Sequence, residues 1–278
     1  MVLVTISGIV VALLLALFVA AVVGSHRFRK RYEKEKADLV SRARPGAPTA
    51  PAMAADADLP FAVQRYLQVT RSSQKPGLKV AVLMQRGTLR AAADKPWMAF
   101  QAEQVYSIEP PAFVWLANAR VAPLVRLLAR DEFVDGKGNM LISLLGVLTI
   151  ADARGPEVDL GAGLRYWGEI VAFPEAVRSR HLQWESLDDQ RARLTIEQGS
   201  LKMSAVIEFN GDGFPSAVHA DRYRDVNGKP VLTRWSGYSR DWKLVDGRLF
   251  PTSWESVWHL PEGDFAAVRM EILTVQTD

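Results

Sequence analysis

The sequence predicts a mainly β protein, built as a strongly curved antiparallel sheet or incompletely closed barrel. About eleven strands, an N-terminal helix and a helical insert are expected, all preceded by one transmembrane helix. Three observations predict this: an uncharged apolar run at the start of the chain, long stretches of period-two alternation, and tight-turn dipeptides between them.

The apolar run is Val2 to Val23. Twenty-two helical residues at about 1.5 Å each span roughly 33 Å, enough to cross a bilayer core. No Lys or Arg precedes it, and it exceeds the short core of a signal peptide, so an uncleaved anchor is expected over residues 1–24. Six Lys/Arg follow within Arg27 to Lys36. The positive-inside rule then favours the cytoplasmic side of a bacterial inner membrane over the periplasmic side for the rest of the chain, in single-pass topology.

Between Ser25 and Pro45 there are eight basic against three acidic residues; elsewhere there are 26 against 28. The basic excess is therefore a stalk beside the membrane, suited to lipid headgroups. The body of the protein carries no net basic excess of the kind a nucleic-acid-binding domain would show, and nucleic acid is not expected as a partner. The stalk and the Pro/Ala-rich tether that follows it, from Pro45-Gly-Ala-Pro48, complete residues 25–58.

Residues 59–278 form the predicted domain, long enough to bury a core without staples. Asp58-Leu-Pro60 is expected to start a helix, with Asp58 as cap and Leu59, Val63, Tyr66, Leu67 and Thr70 on one face. Period two then takes over. Leu201, Met203, Ala205, Ile207 and Phe209 alternate with mostly polar neighbours, as do Ala192, Leu194 and Ile196, and Val268, Met270 and Ile272. Asp135-Gly136, Asn210-Gly211, Asn227-Gly228 and Asp246-Gly247 are hairpin dipeptides. The pattern predicts five strands between Leu78 and Ile150 and six between Arg191 and Thr277. Leu124–Val134 is read as the fourth of these strands, although Leu124, Leu127 and Leu128 also fit a helical turn. The helical insert is expected over Gly163–His181, broken or kinked at Pro174.

The chemistry is sparser. The chain has no cysteine, which excludes disulfides and thiolate metal sites. His26, His181, His219 and His259 show no metal-ligand spacing, and no nucleophile-elbow or phosphate-loop motif is present. Asp131-Glu-Phe-Val-Asp135-Gly-Lys-Gly138 reads as a hairpin turn, because it lacks the alternating ligands of a calcium loop. No catalytic residue, metal or cofactor is assigned.

The runs Arg65-Tyr-Leu67, Phe100-Gln-Ala-Glu-Gln104-Val-Tyr106, Pro110-Pro-Ala-Phe-Val-Trp115, Arg130-Asp131, Arg165-Tyr166 with Glu169, Arg222-Tyr223 and Trp235-Ser-Gly237 resemble an uncharacterised bacterial family, a domain of unknown function. The resemblance covers about residues 59–275 and implies no established activity. Its strand–helix plan is similar to the half-barrel that carries lipoproteins between bacterial membranes, a likeness of fold only.

Those residues also compose a candidate ligand site. Arg165, Tyr166 and Glu169 on the insert, with Arg222 and Asp131 from strands, make a polar cluster expected near the rim of the concave face. Trp167 is expected to point into an apolar pocket with Trp254 and Trp258 on its floor. The leading functional reading is a non-enzymatic module that binds a lipid-like or other apolar small molecule. The alternative is an envelope scaffold with a filled core. A hydrolase using Glu169, Asp131 and Arg165 ranks below both.

Overall fold

The structure is a computed structural model that describes residues 2–43, 56–71 and 78–278. The expected Pro/Ala-rich tether falls largely outside them, as does most of the loop expected from Arg71 to Gly77. Thirteen strands form one antiparallel sheet: β1 (Val80–Leu89), β2 (Met98–Ser107), β3 (Ala112–Ala122), β4 (Val125–Val134), β5 (Lys137–Leu144), β6 (Leu148–Ala153), β7 (Leu182–Ser186), β8 (Arg191–Gln198), β9 (Leu201–Phe209), β10 (Pro215–Val226), β11 (Lys229–Val245), β12 (Arg248–Leu260) and β13 (Gly263–Thr277). Their order is β6-β5-β4-β3-β2-β1-β13-β12-β11-β10-β9-β8-β7. Two meanders are thus joined where the first strand pairs with the last, Leu83 opposite Val275, giving a curled half-barrel.

Two strands were not anticipated. The expected fifth strand, to Ile150, turns back at Leu145-Gly146, where both residues have positive φ (56° and 70°), making β5 and β6. Residues 182–186 add the short edge strand β7. Asp135-Gly136, Asn227-Gly228 and Asp246-Gly247 each have positive φ at both positions, the mirror-image turn that matches strand twist. Asn210-Gly211 differs. There the Asn210 side chain accepts hydrogen bonds from the backbone of Asp212 (3.1 Å) and Phe214 (2.9 Å), and the positive φ moves to Gly213. An Asx turn has replaced the two-residue hairpin.

Helix α1 runs unbroken from Val2 to Arg42. Helix α2 (Phe61–Val69) starts after Pro60, with no side-chain cap; Asp58 lies in a preceding 3-10 turn, Asp56–Asp58, instead of capping it. Leu59, Val63, Tyr66, Leu67 and Thr70 are buried as their spacing predicts. Helix α3 (Pro156–Ile170) begins earlier than expected, with Pro156 in its first turn, and ends before a 3-10 turn at Pro174–Arg178. It joins β6 to β7, the two opposite edges of the sheet, so the chain must cross a face, and α3 crosses the concave one. Gly138 admits this: a side chain there would stand 2.6 Å from the Val158 carbonyl oxygen of α3. The core between α3 and the sheet is aromatic, with Phe113, Phe133, Tyr166, Trp167, Phe173 and Phe250 fully buried.

The stalk is part of this architecture. Residues 25–42 of α1 lie along the convex face of β2, β3 and β4, where Tyr32 and Leu39, with Ala43 just past the helix end, bury against Val80, Val105, Ala112, Val114 and Leu116. Charges fix the contact: the Tyr32 hydroxyl donates to Glu103 at 2.9 Å, Lys36 pairs with Glu103, and Arg42 pairs with Asp135. Arg130, fully buried on that face, pairs with Glu132 and with Glu35 of α1 at 3.2 Å. At the other end Gly24 meets Gly146 so closely that a side chain on Gly24 would stand 2.6 Å from the Gly146 carbonyl oxygen.

Candidate functional site

The concave face carries both the polar cluster and a cavity. Alternation places Gln85, Gln104, Tyr106, Trp115 and Asp131 on this face, and α3 brings Arg165 and Glu169 onto them, one helical turn apart. Arg165 donates to Asp131 (2.6 Å) and Glu169 (3.0 Å), and its guanidinium lies 4.9 Å from the rings of Phe113 and Trp115. Glu169 also accepts from Gln104 (2.8 Å) and Tyr106 (2.5 Å). Gln104 accepts from Gln85 (2.9 Å), which in turn accepts from the Trp115 indole (2.9 Å). The network largely satisfies itself, as a buried polar group requires.

Its electrostatics follow from that enclosure. Burial pushes the Asp131 carboxyl above the ordinary carboxylate range, although Arg165 and Arg222 oppose the shift. Burial also works against the Arg165 cation, but Glu169 and Asp131 outweigh it and hold that guanidinium firmly protonated. Burial and the positive charge of Arg165 bring Arg222 down to about 10. Arg222 donates to the Gly161 carbonyl at 2.8 Å and lies over Trp235 at 4.5 Å. Its Nε is buried with no hydrogen-bond partner, and no carboxylate pairs with it among the described residues. It is the one guanidinium of this cluster left under-coordinated.

Beside the network lies a cavity of ≈ 320 Å³ between α3 and the sheet. Its wall is chiefly apolar, with Leu127, Ile142, Val218, Trp254 and Met270. Of the residues singled out from sequence, Arg165, Glu169, Asp131, Arg222 and Trp254 line it; Tyr166, Trp167 and Trp258 do not. Trp167 points the other way, into the filled part of the core, its ring 4.8 Å from that of Tyr166. Tyr166 is held there by a 2.7 Å hydrogen bond to the Ser107 carbonyl. Residues 165, 168 and 169 form the cavity side of α3, and 166, 167 and 170 its buried back. Trp258 keeps the face of Trp254, since β12 pairs with β11 in unbroken register across both, but it lies four residues further along the strand, where the Arg222 guanidinium stands over its ring at 5.8 Å. Nor are Arg165 and Glu169 at a wet rim, since they form the cavity's buried inner wall.

Sequence reasoning missed a second array, on the convex face. His219 Nδ1 and His259 Nε2 each lie 2.7 Å from the Ser236 hydroxyl, and His259 Nδ1 lies 2.7 Å from Asp264. Glu208 is 3.4 Å from the other nitrogen of His219. The Ser236–His259–Asp264 distances match those of a hydrolytic triad. Ser236, however, is 0% exposed, so no substrate reaches its oxygen, and the array serves to tie five adjacent strands together. Its members lie on different strands with no sequence spacing, which is why no motif betrayed it.

Three solved structures are similar in fold. A LolA superfamily protein from Nitrosomonas europaea is 14% identical, with 78% of this chain and 93% of that one covered and a TM-score of 0.40. An outer membrane lipoprotein-sorting protein domain from Vibrio parahaemolyticus is 12% identical, with 78% and 92% covered and a TM-score of 0.43. A DUF1329 family protein from Desulfovibrio piger is 13% identical, with 79% and 94% covered and a TM-score of 0.42. No curated protein matches the sequence. The family model that matches is DUF6544, a family of unknown function, over residues 50–270; the chain belongs to that family.

Proposed function

We propose that this protein is a membrane-anchored binding module for a small amphiphile, an apolar chain that ends in an acidic group. The observation that carries this reading is the chiefly apolar cavity with an under-coordinated arginine, Arg222, in its wall. A cavity of ≈ 320 Å³ falls at the small end of ligand pockets, roughly 300–1,000 Å³. Arg165 is already matched by two carboxylates, and Arg90, the third arginine of the wall, donates to the Ala266 and Ala93 carbonyls. Arg222, with its buried Nε unpartnered, is therefore the cation with most capacity for an anionic ligand. The ligand's acidic group would also offset the cost of burying that cation. An unbroken α1 that leads from the apolar segment into a packed stalk supports an anchor that stays with the domain. The charge after the apolar segment favours the cytoplasmic side of the inner membrane.

The test is binding of a fluorescent fatty acid, cis-parinaric acid, to the full chain in detergent, with native mass spectrometry for lipid that co-purifies. Arg222→Met should weaken the acid by about 10–100-fold, the value of a charge-assisted hydrogen bond, and leave the methyl ester nearly unaffected. The same substitution should raise the stability of the empty domain by about 1–2 kcal/mol, because an underpaired buried cation is replaced by an apolar side chain. Should the parent bind neither probe, and no lipid co-purify, the scaffold reading takes its place.

A further inference from the structure

Most hairpin turns of this sheet carry Asp, Asn, Glu or Ser, as turns in water do. Two carry none. The turn from β3 to β4 reads Val121-Ala-Pro-Leu-Val125, and that from β5 to β6 reads Leu144-Leu-Gly-Val-Leu148. Leu124 is 89% exposed, the most exposed large apolar side chain among the described residues, and Val121, Val147, Leu148 and Ile150 are about half exposed or more. The two turns are neighbours, since the Leu145 amide donates to the Arg126 carbonyl at 2.8 Å. Leu145 holds a left-handed conformation at φ 56°, a strained choice for a leucine where Asn or Gly is usual.

Helix α1 says what lies against them. Gly24 packs on Gly146, and the Ser25 hydroxyl donates to the Leu145 carbonyl at 3.0 Å. The exposed apolar segment ends at Val23, about 1.5 Å along the axis from Gly24. If that segment spans a bilayer, the hydrocarbon boundary falls at these turns. We infer that the β3–β4 and β5–β6 turns dip into the same leaflet as the anchor and form a membrane-facing rim. Leu124, Val147 and Leu148 enter the interface. Arg120 and Arg126, which flank the first turn and make no ion pair among the described residues, meet the headgroup phosphates. The strands that carry this rim also wall the cavity, through Ala119 and Leu127 beside the first turn and Ile142 beside the second. An apolar ligand could therefore pass between leaflet and cavity with little exposure to water.

This inference rests on the anchor reading, and the test separates the two. The chain has no cysteine, so single labels are unambiguous. An environment-sensitive fluorophore is placed by Leu14→Cys in the anchor, by Leu124→Cys and Leu148→Cys on the rim, and by Lys137→Cys. The last site adjoins the Arg42–Asp135 pair, about 27 Å along α1 from Gly24. The full chain is placed in nanodiscs of phosphatidylcholine and phosphatidylglycerol that carry spin-labelled lipid. Labels at 14, 124 and 148 should be quenched several-fold more than the label at 137. Quenching at 14 without quenching at 124 and 148 overturns the rim and leaves the anchor standing. No quenching at 14 removes the anchor reading and the rim with it. Equal quenching at 124 and 137 also overturns the rim, because the domain would then have no fixed orientation.

Discussion

A chain that starts at residue 56 should be less stable by about 3–6 kcal/mol than one that starts at Ser25. Between them lies the stalk half of α1, which buries Tyr32 and Leu39 almost completely. Full burial of one large apolar side chain contributes about 1.5–3 kcal/mol, so two set the range. Without the stalk, Val80, Val105, Val114 and Leu116 lose their cover on the convex face, and Arg130 loses its Glu35 partner while still paired with Glu132. Both chains should still fold, because the concave core of Phe113, Trp167 and Phe250 contains no residue of α1. Urea unfolding of the two fragments measures the difference. Equal midpoints would show that the stalk is a free tether. A shorter fragment that exposes apolar surface and aggregates, beside a soluble longer one, would agree with the contact described.

Arg165→Met should cost about 3–5 kcal/mol near neutral pH, the usual penalty when one partner of a buried ion pair is removed. Asp131 and Glu169 would then face each other inside the protein with only Arg222 nearby. The pH dependence identifies the cause. Burial raises the Asp131 carboxyl above its ordinary value even with Arg165 in place, and loss of the cation raises it further. A carboxyl whose folded-state pKa is raised binds its proton more tightly in the folded than in the unfolded protein. Its ionisation therefore opposes folding: stability is greatest at acid pH and falls as pH rises from about 4 through the raised value. The gap between variant and parent should narrow as pH falls from 7 to 5, and Asp131→Asn on the Arg165→Met background should recover part of the loss. A deficit unchanged by pH would assign the loss to packing against Phe113 and Trp115.

Period-two alternation, the Asp-Gly and Asn-Gly turns and the apolar N-terminal run were legible because each is written within a few consecutive residues. They determined by themselves that this is an antiparallel β protein behind a helix long and apolar enough to cross a membrane. They also placed six strands between Arg191 and Thr277. The break at Leu145-Gly146 was not legible: nothing local marks a turn there, and its partner, Gly24, lies more than a hundred residues away. Alternation likewise separates two faces of a strand without saying which becomes concave. Trp254 and Trp258 share a face as their spacing predicts, yet only the first reaches the cavity. Alternation does not say how far along a strand the cavity extends, and Trp258 lies beyond it, behind Arg222. Arg130 and Asp131 are adjacent in sequence, but one is sealed under the stalk helix and the other beside the cavity. What only the tertiary structure decided was how the sheet curls and which helix covers each side of it. That depends on the pairing of β1 with β13, about two hundred residues apart, and on close approaches such as Gly24 to Gly146 and Gly138 to Val158. Contacts of that range arise from the packing of whole elements, so no short stretch of sequence encodes them.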